Sequence, residues 1–249
     1  MKYCRFQHDS KTGVGIVEGQ QIWVCGPDMQ KTEELWYMDE VELLPPVVPS
    51  KIVCVGRNYS EHAKELGNEV PSEPLLFLKA PSAVIASGDE IVIPRQSQRI
   101  EHEGELAIVI GRACKNLADD QPALEYVFGY TCLNDVTARD LQKKDVQFTR
   151  AKSFDTFCPV GPYIETEVDP YDLRVTTKVN GDIRQSGRTS QMVFPVDVLI
   201  RYISRQMTLN VGDVIATGTP SGVSQLHPGD LCEVEVEGVG ALSNSIAGA

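Results

Sequence analysis

The stretch EHEGELAIVIG, Glu101 to Gly111, sets acidic residues on alternate positions and then runs into an unbroken apolar segment. In an extended strand, positions i and i+2 share a face and lie about 6.6 Å apart. Glu103 and Glu105 therefore point the same way, followed on that face by Ala107 and Val109, while Leu106, Ile108 and Ile110 project to the other. Both faces are apolar from Leu106 onward, so the strand enters a core and Glu105 is hard to keep in bulk water. Two bare carboxylates at that spacing repel by roughly 2.5 kcal/mol at an effective dielectric of about 20. Either a positive group sits between them or one of them holds a proton. Glu101 shares the face but precedes the apolar run, and is expected to be solvated.

Outward from this strand the chain reads mostly as further strand. SGDEIVIP, NVGDVIAT and HPGDLCEVEVEG each place Gly-Asp at a turn before an alternating or apolar run, and Asn180-Gly181 is a hairpin signal. KIVCVG reads as a buried strand, and NYSEHAKELG as a short helix ended by Gly67. A second helix follows Asp135 through VTARDLQKK. A third is FPVDVLIRYISRQ, with Pro195 near its first turn and Leu199, Tyr202, Ile203 and Gln206 at helical spacing. Residues 1–44 form a small β-rich unit, and the prolines of LLPPVVPS mark a linker into a larger domain, 45–249. The fold class is mainly β with few helices, an α+β arrangement built as a mixed β roll or barrel.

The 249 residues carry a net charge of −12, which argues against nucleic acid and anionic membranes as partners. No stretch approaches the roughly 20 apolar residues of a membrane helix, and the N-terminus has no secretory apolar region. The seven cysteines are scattered without a C-x-x-C pair and read as reduced thiols of a cytoplasmic protein. Dinucleotide, P-loop, zincin and G-x-S-x-G motifs are all missing.

YVFGYTCLNDVTARD is another apolar strand that stops at Asn134-Asp135, where a helix takes over. Glu103, Glu105 and Asp135 would suit a hard divalent cation such as Mg²⁺, which takes oxygen ligands. On spacing alone, salt bridges to nearby Arg or Lys explain the pattern equally well. His62 and Glu65 stand at i and i+3 on a helix, so their side chains can meet. Spacing alone favours an incidental exposed pair. Lys79 and Lys152 sit in otherwise apolar runs, where a lysine most often snorkels outward; a buried one could steady an enolate or form a Schiff base. Arg139 and Gln142, again i and i+3, could hold a substrate carboxylate, and the Thr219 hydroxyl in TGTPSGV could bind oxygens. His102 points away from Glu103 and reads as structural.

From Lys51 to the C-terminus the chain resembles the fumarylacetoacetate hydrolase family, in the short form that includes acylpyruvate hydrolases and oxaloacetate decarboxylases. The resemblance rests on an ordered series: VGRNYSEHAKE, PLLFLKAPS, EHEGELAIVIG, GYTCLNDVTARDLQ, AKSFDTFCPVGP, VNGDIRQSG and LNVGDVIATGTPSGV. It implies a mixed β roll, usually a homodimer, with Mg²⁺ or Mn²⁺ held by Glu103, Glu105 and Asp135. It also implies a His62–Glu65 pair on a segment that closes over the site, with Gly56 and Gly67 bracketing it, and Lys152 as an electrostatic partner beside the metal. Arg57, Tyr59, Lys79, Arg139, Gln142 and Thr219 become the substrate-binding candidates. The implied substrate is a small 2-oxo acid. Hydrolysis of acylpyruvates such as fumarylpyruvate comes first, oxaloacetate decarboxylation or tautomerisation second. A non-catalytic metabolite-binding protein and a lysine Schiff-base aldolase are the readings of another class.

Overall fold

The computed structural model describes residues 1–248. An antiparallel meander opens the chain: β1 (Lys2–His8), β2 (Lys11–Glu18), β3 (Gln21–Cys25) and β4 (Lys31–Tyr37), with β5 (Glu42–Leu44) returning onto β1. After the proline linker come β6 (Ile52–Gly56), α1 (Ser60–Glu65) and β7 (Leu75–Lys79). Gly67 ends the α1 segment at φ +70°, a left-handed conformation that glycine adopts without penalty. Short strands β8 (Val84–Ile85), β9 (Ile91–Ile93) and β10 (Ile100–Glu101) lead to β11 (Gly104–Ile110), β12 (Val127–Asn134) and β13 (Thr137–Ala138). The helices α2 (Arg139–Lys144) and α3 (Thr149–Lys152) precede β14 (Cys158–Glu165). The expected hairpin is β15 (Arg174–Val179) and β16 (Asp182–Arg188), turned by Asn180 and Gly181 at φ +54° and +84°. The chain closes with α4 (Val196–Gln206), β17 (Val214–Ala216), β18 (Leu231–Val236) and β19 (Gly240–Gly248).

The main sheet runs β4-β3-β2-β1-β14-β12-β11-β17-β6-β7, with β5 on β1 and β8 on β14; a second sheet runs β16-β15-β18-β19-β9. Pairing is mostly antiparallel, but β17–β6, β14–β8 and β19–β9 are parallel, which makes this the mixed, mainly β fold expected. Strand β11 is buried on both faces. Leu106, Ile108 and Ile110 pack with Leu199, Ile200 and Ile203 of α4 and with Val234 and Leu242 of the second sheet. Ala107 and Val109 pack with Leu133, Val160, Ile52 and Tyr3. The buried face of α4 is Val196, Leu199, Ile200 and Ile203, so Tyr202 and Gln206 lie on its flank instead of its core stripe. The helix after Asp135 starts only at Arg139, because Thr137 and Ala138 first pair with β10. The N-terminal unit is stitched into the main sheet, with Lys2 opposite Glu165 and Tyr3 opposite Ile164. All seven cysteines are free, and among the described residues no helix is long and apolar enough to cross a membrane.

Candidate active site

Strands β11 and β12 pair with Gly104 opposite Asn134, so the start of one lies beside the end of the other. Glu103 and Glu105 flank Gly104, and Asp135 follows Asn134; Asp135 N–H donates to Glu103 O at 2.8 Å. The three carboxylates are buried and each offers an oxygen within 4.8 Å of the others. Lys152 Nζ donates to Glu103 Oε2 at 2.8 Å and to Asp135 Oδ2 at 2.6 Å, and Lys79 Nζ donates to Asp135 Oδ1 at 2.6 Å. The Arg139 guanidinium donates to Glu103 Oε1 (2.5 Å), Glu101 Oε2 (2.7 Å) and Gln142 Oε1 (2.5 Å).

Three buried cations, Lys79, Lys152 and Arg139, thus face four buried carboxylates, Glu101, Glu103, Glu105 and Asp135. Among the described residues Glu105 is the one of the four without an ion pair; it accepts from Gly218 N–H at 2.7 Å. Burial, reinforced by Asp135 and Glu103, drives the Glu105 carboxyl well above its usual range. At Glu103 burial pushes upward too, but Lys152, Arg139 and His62 outweigh it and hold that carboxyl low. The acidic strand therefore draws on both remedies: one glutamate is paired, and at the other burial favours the protonated form. Burial pulls the Lys152 ammonium down, yet Asp135 and Glu103 raise it on balance. A Schiff base needs the neutral amine, so the aldolase reading loses its support. The donor set fits a divalent cation: three hard oxygen ligands converge, and one of them has no counter-charge of its own.

The α1 segment stands over these groups. His62 is buried, its Nδ1 3.2 Å from Glu65 Oε2, and Glu65 accepts from Gly222 N–H at 3.0 Å. The base of the segment is pinned by Asn58. Its Nδ2 donates to Phe194 O (3.0 Å) and Thr217 O (2.7 Å), and its Oδ1 accepts from Phe194 N–H (2.8 Å). Arg57 next to it adopts φ +59°, an uncommon conformation for a residue with a Cβ.

Beneath α1 lies a cavity of about 400 Å³. Its floor is the carboxylate triad with Lys152, and its apolar wall is Leu66, Leu75, Phe77 and Phe148. The Phe77 and Phe148 rings meet edge to face at 5.5 Å, and Lys152 Nζ lies 5.1 Å from the centre of Phe77. Arg57, His62, Glu65, Arg139, Gln142 and Thr219 line the same space. Lys79 and Tyr59 do not. Lys79 is buried behind Asp135, and the buried Tyr59 hydroxyl has no partner among the described residues.

Glu101 is not solvated but buried, accepting from Arg99 Nε at 2.6 Å as well as from Arg139. The reason is the β10–β13 pairing, which sets Glu101 opposite Thr137, two residues before Arg139. Arg139 has every nitrogen of its fork engaged by protein, which makes it a support for Glu103. Thr219 already donates its hydroxyl proton to Gly104 O at 2.8 Å. His102 is structural, as read: fully buried, with Nδ1 3.0 Å from Gln185 Oε1 and Nε2 2.8 Å from Ser224 Oγ. Asn58, Gln185, Gly218 and Gly222 receive no individual role from the sequence: Asn58 and Gln185 lie inside VGRNYSEHAKE and VNGDIRQSG, and Gly218 and Gly222 in the TGTPSGV turn, whose amides could bind oxygens.

Residues 51–247 match the family described as fumarylacetoacetate (FAA) hydrolase C-terminal, and residues 1–46 match that described as Rv2993c-like, N-terminal. The oxaloacetate tautomerase YisK of Bacillus subtilis is 41% identical over 239 residues, covering 90% of this chain and 79% of that protein. The 2-hydroxyhepta-2,4-diene-1,7-dioate isomerase of Mycobacterium marinum superposes with a TM-score of 0.92 at 39% identity, over 100% of this chain and 98% of that one. The maleylpyruvate hydrolase of Sphingobium sp. SYK-6, solved with manganese(II) and pyruvate, gives 0.83 at 29% identity over 100% of both chains.

Proposed function

The chain belongs to the fumarylacetoacetate hydrolase family, and from that premise we propose that it is a divalent-metal-dependent enzyme interconverting the keto and enol forms of 2-oxo dicarboxylic acids such as oxaloacetate. The observation that carries this reading is the distribution of charge in the cavity. The floor gathers the carboxylate triad with Lys152. The rim holds Arg57 and Lys143, which make no ion pair among the described residues. With a divalent cation on the triad, a ligand with an anionic group at each end would match both floor and rim. The relatives named for oxaloacetate and for a 1,7-dioate support the same substrate class.

Mg²⁺ or Mn²⁺ held by Glu103, Glu105 and Asp135 would supply Lewis acidity to the carbonyl and carboxylate oxygens of the 2-oxo acid. Lys152, kept as an ammonium, adds positive charge where enolate charge develops. His62 has Nδ1 against Glu65, which leaves Nε2 toward the cavity without a partner among the described residues. It takes the proton from the carbon next to the 2-oxo group, and the resulting imidazolium gives that proton to the carbonyl oxygen as the enol forms. The apolar wall keeps water from competing for that proton.

A second reading, hydrolysis of an acylpyruvate, is favoured by the His62–Glu65 pair, since a carboxylate-oriented imidazole also suits the activation of water. The test is to strip the protein with chelator, restore Mg²⁺ or Mn²⁺, and follow oxaloacetate enol by absorbance, with fumarylpyruvate and acetylpyruvate run in parallel by NMR. Metal-dependent acceleration of keto–enol exchange is expected. Cleavage of fumarylpyruvate with no gain on oxaloacetate selects the second reading, and no reaction with any of the three ends both.

A further inference from the structure

Gln185 on β16 is fully buried, and every hydrogen-bonding capacity of its amide is used. Its Oε1 accepts from Gly104 N–H and from His102 Nδ1, both at 3.0 Å. Its Nε2 donates to Thr219 Oγ1 at 2.7 Å and to Pro220 O at 2.6 Å. The orientation of the amide follows from partners that cannot exchange roles, because Gly104 N–H only donates and Pro220 C=O only accepts. Thr219 is thereby constrained. Its oxygen receives one proton from Gln185 and sends its own to Gly104 O, 2.8 Å away. Of its one donor and two acceptor capacities, a single lone pair is left. Turning the hydroxyl proton toward a ligand would take that donor from the Gly104 carbonyl, between the two metal-ligand candidates.

We propose that Gln185 is a positioning residue that holds Thr219 Oγ1 and Gly104 N–H at once, keeps the Thr219 proton on the Gly104 carbonyl and leaves Thr219 a hydrogen-bond acceptor toward the cavity, so that the site prefers, at that point, a ligand oxygen that carries a proton. An enol or 2-hydroxy oxygen meets this condition; a keto or carboxylate oxygen does not. The inference rests on the reading of the cavity as a 2-oxo acid site and adds which form of the acid it holds more firmly. It also assigns Gln185, which does not itself line the cavity, a part in that choice.

The experiment is calorimetric titration of the Mg²⁺-loaded full chain with a matched, unreactive pair, 2-hydroxyglutarate and 2-oxoglutarate. A lost neutral hydrogen bond corresponds to about a five- to tenfold change in Kd. Thr219→Val should weaken the hydroxy acid by that factor and leave the oxo acid within about twofold, and Thr219→Ser should restore the wild-type ratio. Gln185→Met releases both Thr219 and Gly104 and should shift the ratio of the two affinities toward that of Thr219→Val; an unchanged ratio in the folded variant overturns the part assigned to Gln185. Should Gln185→Met fail to fold, Gln185→Glu, which cannot donate to Thr219 when ionised, takes its place in the same comparison. Equal weakening of both acids by Thr219→Val, with wild-type binding intact, overturns the polarity assignment only. Failure of wild-type protein to bind either acid overturns the 2-oxo acid reading, and this inference with it.

Discussion

Glu103 and Glu105 stand two residues apart, yet their surroundings shift the two carboxyls in opposite directions, and this difference can be measured in the metal-free protein. The Glu105 carboxyl is raised above the value of about 4.3 that it has in the unfolded chain. Between those two values the folded state binds the extra proton, so its contribution to stability is present below about pH 4.3 and is lost as pH rises through the folded value. The Glu103 carboxyl is depressed, so its contribution is present above about pH 4.3 and fades as pH falls toward the folded value. Urea unfolding in chelator should therefore show a fall in stability with rising pH that Glu105→Gln removes; an unchanged slope in that variant would refute the assignment. Glu103→Gln should cost about 3–5 kcal/mol at neutral pH, because Lys152 and Arg139 each lose a buried partner. Both variants should lose tight Mg²⁺ binding by calorimetry. His62→Ala should keep that binding, since His62 is not among the ligand candidates, and should slow proton transfer about 10²- to 10⁴-fold. Decarboxylation of oxaloacetate requires no attacking water, so the ratio of its rate to acylpyruvate hydrolysis should rise in His62→Ala. An equal, small loss in both would mean that His62 only helps to cover the cavity.

At the scale of elements, what was legible in the sequence was whatever the chain encodes locally. The alternation in β11, the Asn180-Gly181 hairpin and the His62–Glu65 spacing are all properties of neighbours within a few residues. What stayed hidden is long-range. Arg139 reaches Glu101 across 38 residues, Lys79 reaches Asp135 across 56, and Gln185 reaches His102 across 83. None of these pairings leaves a periodic trace, so Glu101 reads as solvated and Lys79 as a minor candidate. The 217–222 loop is the clearest case. As sequence it is a glycine and proline turn, yet in the fold Gly218 holds Glu105 and Gly222 holds Glu65. Asn58 ties α1 to that loop and to residue 194 through three side-chain hydrogen bonds, that to Thr217 O fully buried. Asn58→Ala should therefore destabilise the protein by about 2–3 kcal/mol and raise amide exchange across residues 59–67 more than in β11. Exchange that rises uniformly over the whole chain would show that Asn58 supports the fold at large and has no particular hold on α1.

At the scale of the whole molecule, the N-terminal unit contributes nothing to the cavity, whose lining starts at Val55. Its physical role lies at the sheet edge. Strand β14 would otherwise expose backbone donors and acceptors beside apolar Ile164, an invitation to pair with another chain. The meander covers that edge and moves the sheet's end to β4, where Lys31, Glu33 and Glu34 are exposed and charged. Tyr3 is the anchor of the arrangement. It is buried, shares a core with Ile16, Ala107 and Val160, and lies 5.1 Å from the ring of Phe128. Tyr3→Ala should then cost about 3 kcal/mol in urea unfolding, as large-to-small changes at buried aromatics do, with Mg²⁺ affinity unchanged. Removal of residues 1–46 should go further and give a chain that aggregates through β14 when concentrated, while its dilute folded fraction still binds Mg²⁺ with wild-type affinity. A truncated chain that stays monodisperse at high concentration would show that the β14 edge needs no cover. One that is well folded but blind to Mg²⁺ would show that the unit shapes the carboxylate triad through the shared core, in spite of lining none of the cavity.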